Sequence, residues 1–446
     1  MPNGNSKENG TLQAEQTEKK PLKLLFVSIE GLIGDVAWQC KKEGCEVKYY
    51  IHEKPEKDVC DGFIDKTDDW KALKDWADSI IFDDIGFGKE AEDLRKEGKF
   101  VVGGSVYTDK LEDSREFGQE ELKKAGVSII PHWDFTDFDS AIDFVQKNPN
   151  RYVIKPSGKA QNEKELVFIG QEEDGNDVLN VLQNYKKSWS KKMNNIQLQK
   201  FIYGVEVAVG ALFNGKDFVN PINVNFEHKK LFPGELGPNT GEMGTLMFWA
   251  QPNMIFNETL LKMKDSLAAA NYVGYIDLNC IVNSKGIFPL EFTSRFGYPT
   301  ISIQMEGITD NWGSFFYSLA KGEAKEIKTK KGFQIGVVIA VAPFPFVDSA
   351  AFKKYSEDAT IIFKKEKNLD GVHLGDVKLV EGDWRLAGRS GYALVITGSG
   401  ITVDDARKQA YKRVENILLP NMFYRTDIGE RWVRDSDMLH TWGYLY

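Results

Sequence analysis

Two runs carry the fold: Tyr275-Ile276-Asp277-Leu278-Asn279-Cys280-Ile281-Val282 and, beyond a turn at Asn283-Ser284-Lys285-Gly286, Leu290-Glu291-Phe292-Thr293-Ser294-Arg295-Phe296-Gly297. Both read as strands, and the short polar turn makes them an antiparallel pair. Pairing Val282 with Phe288, Cys280 with Leu290 and Leu278 with Phe292 matches apolar to apolar. That register sets Asn279 beside Glu291 and Asp277 beside Thr293 on the opposite face. The alternation of strand side chains adds Arg295 to that face. Two carboxylates, an amide, a hydroxyl and a guanidinium together suit a magnesium–phosphate group. Magnesium takes oxygen ligands, commonly one or two carboxylates plus phosphate oxygens. The same pattern also fits a solvated sheet face with an Arg–Glu pair.

The chain around this pair has 446 residues, enough for two or three domains. Hydrophobic residues make up 42% and charged residues 28%, the balance of a globular protein. No apolar stretch reaches the length of a membrane span, so no membrane partner is expected. A net charge of −9 argues against a general nucleic-acid binder. The four cysteines, Cys40, Cys45, Cys60 and Cys280, form no CxxC pair. They suggest neither a disulfide framework nor a zinc site, and a cytoplasmic setting is expected. Residues 1–20 are polar, without an apolar run, and read as a disordered tail rather than a signal peptide.

Upstream, Leu24-Leu25-Phe26-Val27, Val47 to Ile51, Ile80-Ile81-Phe82 and Phe100-Val101-Val102 alternate with helical stretches. This β-α-β order predicts a doubly wound parallel sheet over residues 21–120. A second unit is expected over 121–328, with a smaller subdomain at about 126–197 that contains the strand Tyr152-Val153-Ile154. The charged segment 323–331 reads as a linker. A C-terminal α+β unit over 329–446 has strands at Ile335 to Ala342 and Tyr392 to Thr397. Its helix starts near Thr402, with Ala406, Ala410, Val414 and Leu418 on the buried face.

Another run, Gly237-Pro238-Asn239-Thr240-Gly241-Glu242-Met243-Gly244, could bring backbone N–H groups close to an anion, though such a loop is also an ordinary structural turn. It resembles the GPNTGGMG signature of phosphoribosylamine–glycine ligases, ATP-grasp enzymes, with Glu242 in place of a glycine. Phe226-Glu227-His228-Lys229-Lys230 is similar to the family's DHKR run. Leu290 to Gly297 is similar to the start of its EFNxRFGDPE motif, Leu111 to Phe117 to LEGSKxF, Gln199 to Glu206 to EExLxGxE, and Phe423 to Gly429 to FYRTDIG.

The resemblance implies an ATP-grasp domain with a small lid, and a set of site residues. Arg115 and Lys155 would serve the nucleotide phosphates, and Lys229 would bind the nucleotide. Gln199 and Phe201 would lie on the adenine hinge, and Glu206 on the ribose. Glu291 and Thr293 would hold magnesium or manganese, with Thr293 standing for the family's asparagine and Asp277 able to compensate. Asn239, Thr240 and Arg295 would act on the reacting groups. The implied reaction joins glycine to phosphoribosylamine with ATP through an acyl phosphate, a step of purine biosynthesis. The expected state is a monomer or homodimer.

Three departures keep other outcomes open. The family's GxGGREH loop is Ser28-Ile29-Glu30-Gly31-Leu32-Ile33-Gly34 here, so a phosphate-facing Arg is lost. Its Asp-Pro-Glu is Tyr298-Pro299-Thr300, which removes an acid from the glycine end. Its glycine-rich lid loop is Pro156 to Asn162, with Lys159 gained. These changes suit a diverged ligase joining another acid and amine. Thr293 and the altered loop would suit a nucleotide-binding homologue without turnover.

Overall fold

The computed structural model describes residues 20–157, 166–191, 193, 195–365 and 369–445. Residues 1–19 and lid-loop positions 158–162, including Gly158 and Lys159, lie outside the described residues.

Strands β1 (Lys23–Ser28), β2 (Glu46–Ile51), β3 (Ser79–Phe82) and β4 (Val101–Val102) form a parallel sheet in the order β2-β1-β3-β4. Helices α1 (Gly34–Lys42) and α2 (Gly88–Lys96) lie between them in sequence. Both faces of β1 are buried, as its apolar run predicts. Leu24 and Phe26 enter the main core, while Leu25 and Val27 pack with Trp70, Ile80 and Phe82.

Helix α3 (Val106–Asp113) is opened by a capping box between Ser105 and Thr108. Ser114 ends it and caps α4 (Arg115–Lys124) by accepting from Phe117 N. Arg115 therefore stands in the first turn of α4.

A small subdomain follows, built from β5 (His132–Phe135), α5 (Phe138–Lys147), β6 (Tyr152–Ser157), β7 (Phe168–Ile169), α6 (Asn176–Ser188) and β8 (Asn195–Lys200). Its sheet order is β5-β8-β6-β7. Tyr152 and Ile154 turn into a core of its own with Phe138, Val178, Leu182 and Ile196. Val153 and Lys155, on the alternate face, line a cavity.

The larger body contains β9 (Val205–Asn214), β10 (Ile222–Glu227), the hairpin β11 (Lys230–Phe232) and β12 (Leu236–Asn239), then β13 (Gly244–Ala250). Helices α7 (Met254–Glu258) and α8 (Lys264–Ala269) lead to β14 (Val273–Asn283) and β15 (Gly286–Thr293), and α9 (Thr300–Gly307) and α10 (Trp312–Ala320) follow. The C-terminal part supplies β16 (Phe333–Ala340), α11 (Ser349–Tyr355), β17 (Ile362–Phe363), β18 (Val372–Leu374), β19 (Val377–Val380), β20 (Asp383–Leu386), β21 (Tyr392–Gly400), α12 (Val403–Val414), β22 (Ile417–Leu418) and α13 (Trp432–Thr441). One eight-stranded sheet runs through both parts in the order β15-β14-β9-β10-β13-β16-β21-β18.

Three expectations need correction. The β14–β15 register holds for Asp277 with Thr293, Leu278 with Phe292 and Asn279 with Glu291, but then slips. Cys280 pairs with Pro289 and Val282 with Ile287, leaving Leu290 as the extra residue of a bulge. Pro289 has no N–H to give the ladder, which favours an irregularity beside it. Helix α12 stops at Val414, and Leu418 is exposed on β22 while Ile417 is buried. The segment 323–331 is tied down: Asn220 N donates to Lys325 O, Ile327 N to Asn220 O and Lys330 N to Gly307 O.

Two buried networks join the parts. His373 bridges Asp35 (2.8 Å) of the first sheet's α1 to Thr397 (3.0 Å) of β21. Glu306 of α9 accepts from Thr397 Oγ1 (2.9 Å) and Ser399 Oγ (2.8 Å) and pairs with Lys330 (2.9 Å) and Arg413 (3.1 Å).

Candidate functional site

A single cavity of about 560 Å³ opens between the small subdomain and the face of β9, β10, β14 and β15. All twelve residues nominated from sequence line it. Arg115 and Lys155 come from α4 and β6, Gln199 from β8, Phe201 from the connection into the larger body, and Glu206 from β9. Lys229, Asn239 and Thr240 come from the hairpin region. Asp277, Glu291, Thr293 and Arg295 come from β14, β15 and the segment after it.

The cations gather at one end. Burial and the neighbouring Arg115 push the Lys155 ammonium down to about 8. Arg115 donates to Pro156 O (3.3 Å) and lies 4.0 Å from Glu291. Lys229 Nζ sits among Glu206 (2.9 Å), Glu227 (3.3 Å) and Glu291 (3.6 Å). Burial would discharge it, but those three carboxylates outweigh burial and hold it well above the usual lysine range.

Sharing one ammonium divides the acids. Burial raises Glu206, but its close contact with Lys229 wins and keeps it low. Glu227 is more enclosed and faces other acids; burial prevails there and raises it. Asn279 Nδ2 donates to Glu227 (2.9 Å) and Glu206 (3.3 Å), while its buried Oδ1 has no partner among the described residues. One rung along the β14–β15 ladder, the Thr293 hydroxyl donates to Asp277. Burial and Glu227 push the Asp277 carboxyl well above its ordinary range. Gly210 on β9 makes this packing possible, since a Cβ there would lie 2.2 Å from Tyr275 OH and 2.8 Å from Asp277 Cβ.

Two amides of the glycine-rich run are engaged within the loop itself. Thr240 N donates to Lys229 O (2.8 Å) and Met243 N to His228 O (2.8 Å), so these amides close the loop on its own neighbours. Thr240 Oγ1 also bonds to Lys229 O (2.9 Å). The loop lines the cavity with Asn239, Thr240, Gly241 and Glu242. The hairpin before it is anchored by Arg425, which is fully buried. That guanidinium bonds to Asp427 (2.7 and 2.8 Å), Glu235 (2.8 Å) and Lys230 O (2.9 Å). His228 is buried beside Arg431 and Arg425; burial and these cations push it down to about 3, so it is neutral.

Arg295 enters the cavity wall already paired, with Asp84 at 3.0 Å and Glu112 at 3.1 Å. These carboxylates outweigh burial and raise its affinity for the proton further. Glu112 also accepts from Ser294 N (2.7 Å). Asp83 is buried against Ser28; burial and the adjacent Asp84 push it up to about 8. In the loop Ser28 to Gly34, Ile33 is fully buried and a Cβ on Gly34 would lie 2.2 Å from Cys60 Sγ.

Asn279, placed on this face by the strand register, lines the cavity, and so do Glu227 and Glu242, which the sequence motifs contain without marking a role for them. Strand alternation from Asp277 reaches Asn279, and Glu227 adjoins the nominated Lys229; only their convergence in space makes them site residues.

A four-stranded lid facing a larger antiparallel sheet, with cations and carboxylates meeting between them, defines an ATP-grasp protein. Two models of one family match this chain. The phosphoribosylglycinamide synthetase ATP-grasp (A) domain covers residues 113–301 and the C domain of the same synthetase covers 334–431, together more than half of the chain. The chain belongs to the phosphoribosylglycinamide synthetase family. It is 25% identical over 351 residues to the phosphoribosylamine–glycine ligase of Streptococcus pneumoniae, covering 77% of this chain and 81% of that protein. To the Clostridium acetobutylicum ligase it is 24% identical over 436 residues, covering 92% and 100%. The crystal structure of the Thermotoga maritima phosphoribosylamine–glycine ligase shares its fold, with a TM-score of 0.67 at 22% identity over 92% of this chain and 100% of that one. No helix among the described residues is long and apolar enough to cross a membrane.

Proposed function

We propose that this chain is an ATP-dependent ligase that forms a C–N bond between a carboxylate and an amine. The reaction is that of phosphoribosylamine–glycine ligases in purine biosynthesis. Glycine and phosphoribosylamine become glycinamide ribonucleotide, and ATP becomes ADP and phosphate. The observation that carries this reading is the meeting of Arg115, Lys155 and Lys229 with Glu291 and Asn279 in one cavity.

A free carboxylate is a poor electrophile because oxide cannot leave; its acyl phosphate can lose phosphate. The protein's task is to align the carboxylate with the γ-phosphorus and to offset charge. Lys155 and Arg115 meet the phosphates from the lid side. Lys229, held by Glu206 and Glu227, meets them from the sheet. Glu206 lies where ribose hydroxyls would bond, and Gln199 and Phe201 border the base. Asn239 and Thr240 lie at the reacting end, with Thr240 fixing the Lys229 main chain. Arg295, steadied by Asp84 and Glu112, orients the carboxylate. Closure of the lid excludes water from the acyl phosphate.

Among the described residues no three acidic, histidine or cysteine side chains converge closely enough to hold a metal by themselves. The donors fit a magnesium or manganese ion shared with phosphate oxygens, with Glu291 as carboxylate, the unpartnered Asn279 Oδ1 as amide oxygen, and the Thr293–Asp277 pair beside them. Such an ion would supply further neutralisation of phosphate charge.

The test supplies MgATP, glycine and freshly made phosphoribosylamine and follows ADP. Release that requires both substrates is expected; nucleotide binding without ADP under any substrate panel overturns the reading. A second reading keeps the ligase and changes the amine. It is favoured by the packing of Ile33 and Gly34, which leaves that loop without a side chain for a phosphate. ADP release with other amines but not with phosphoribosylamine would select it.

A further inference from the structure

The cavity has an acidic inner wall that the nucleotide does not explain. Glu242 lines it on the turn between β12 and β13 and is only 7% exposed. The charged groups that act on it most strongly are Glu227, Lys229, Asp277 and Glu206. Lys229 is the cation among them, and it is already engaged by Glu206, Glu227 and Glu291. The Oε1 atom of Glu242 has no hydrogen-bond partner among the described residues. A buried carboxyl oxygen without a donor is costly, and a ligand N–H would remove the cost.

The chemistry of the ligase names the donor. MgATP is anionic and belongs with Arg115, Lys155 and Lys229. The attacking amine must be the neutral base, since a protonated amine has no lone pair to give. The remaining positive group is an ammonium carried by the acid substrate itself. That group takes no part in the reaction and gains from staying protonated, because it then cannot attack a second acyl phosphate.

Resting on the ligase reading above, we propose that Glu242 binds the cationic amino group of the acid substrate and so selects amino acids over uncharged carboxylic acids. Asp277, on β14, shares this wall. Glu242 is thus a specificity residue, distinct from the groups that hold phosphate.

The test compares amino acids with hydroxy acids of the same shape: glycine with glycolate, alanine with lactate, aspartate with malate. Calorimetry measures binding of each to the full chain loaded with Mg and a non-hydrolysable ATP analogue. Steady-state ADP release gives the KM values. The intact protein should favour at least one amino acid over its hydroxy acid. Glu242→Gln should weaken that amino acid at least about tenfold, as expected for one charge-assisted bond, and leave the hydroxy acid and the KM for MgATP within about twofold. Glu242→Asp, which keeps the charge, should fall between, and it also serves if the amide variant folds poorly. Equal weakening of both acids, unchanged amino-acid binding, a shift confined to the Mg2+ requirement, or no preference in any pair overturns the proposal. The binding arm separates the two readings. Glu242-dependent amino-acid binding without turnover sinks the ligase and keeps the subsite; turnover indifferent to Glu242 does the reverse.

Discussion

Lys155 shows how one residue's surroundings become a measurable pH dependence. Its ammonium titrates near 8 because burial and Arg115 disfavour the charge. A bound phosphate would reverse that preference, so nucleotide binds best to the protonated form. The KM for ATP should be flat below pH 8 and climb above it, approaching about tenfold per pH unit. Lys155→Met should raise KM at neutral pH and remove the inflection; a wild-type KM that stays level through pH 9 would contradict this. Lys155 was legible in the sequence through the family resemblance, at the end of the strand that holds Tyr152 and Ile154. Its titration was not, since that depends on Arg115 and Lys229 arriving from other elements. Arg295 marks the same limit. Its place after β15 is legible, but its pairing with Asp84 comes from a strand end more than 200 residues away, and no spacing rule reports that.

At the scale of elements, the β11–β12 hairpin depends on a residue far along the chain. Arg425 satisfies two carboxylates and a backbone carbonyl there while fully buried. Burial raises Asp427, yet the Arg425 bonds and Gly234 N–H hold it down at about 2. Arg425→Met keeps the bulk but removes the cation from the part-buried Asp427 and leaves Lys230 O without its donor, while the exposed Glu235 turns to water, and should cost about 1–3 kcal/mol. Hydrogen exchange of the hairpin amides should speed up and kcat/KM should fall, because Asn239 and Thr240 lose their support. Hairpin protection equal to the wild type would show that the anchor is dispensable. The β14–β15 pair was legible where apolar residues face each other, from Asp277 to Asn279. It was misread beyond that, since a bulge depends on backbone donors and Pro289 supplies none. Helix α12 was extended too far for a similar reason: the four-residue spacing continues to Leu418 although the helix has ended.

For the whole molecule, the eight-stranded sheet and the Glu306 network make the larger body one unit. Burial raises the Glu306 carboxyl, but Lys330, Arg413 and Ser399 outweigh it and hold it at about 2. A carboxylate depressed from about 4.3 stabilises the fold fully above that pH and loses its contribution as pH falls toward 2. Glu306→Gln should lower stability by about 3 kcal/mol at neutral pH and weaken the acid sensitivity of melting below about pH 4.3. Equal melting temperatures for variant and wild type at pH 7 would refute this. The presence of a parallel sheet, a small subdomain and a last α+β part was visible in the order of strands and helices. The joining of the last part to the middle was not, because strand partners across β13 and β16 lie far apart in sequence.

The β13–β16 ladder pairs Gly244 through Phe248 with Val337 through Phe333. A gene split between the two matched modules would therefore cut through a hydrogen-bonded sheet rather than a tether. Each fragment would carry a raw strand edge, prone to stick to other chains. Exchange of the last module between relatives could succeed only where the incoming strand presents a compatible register.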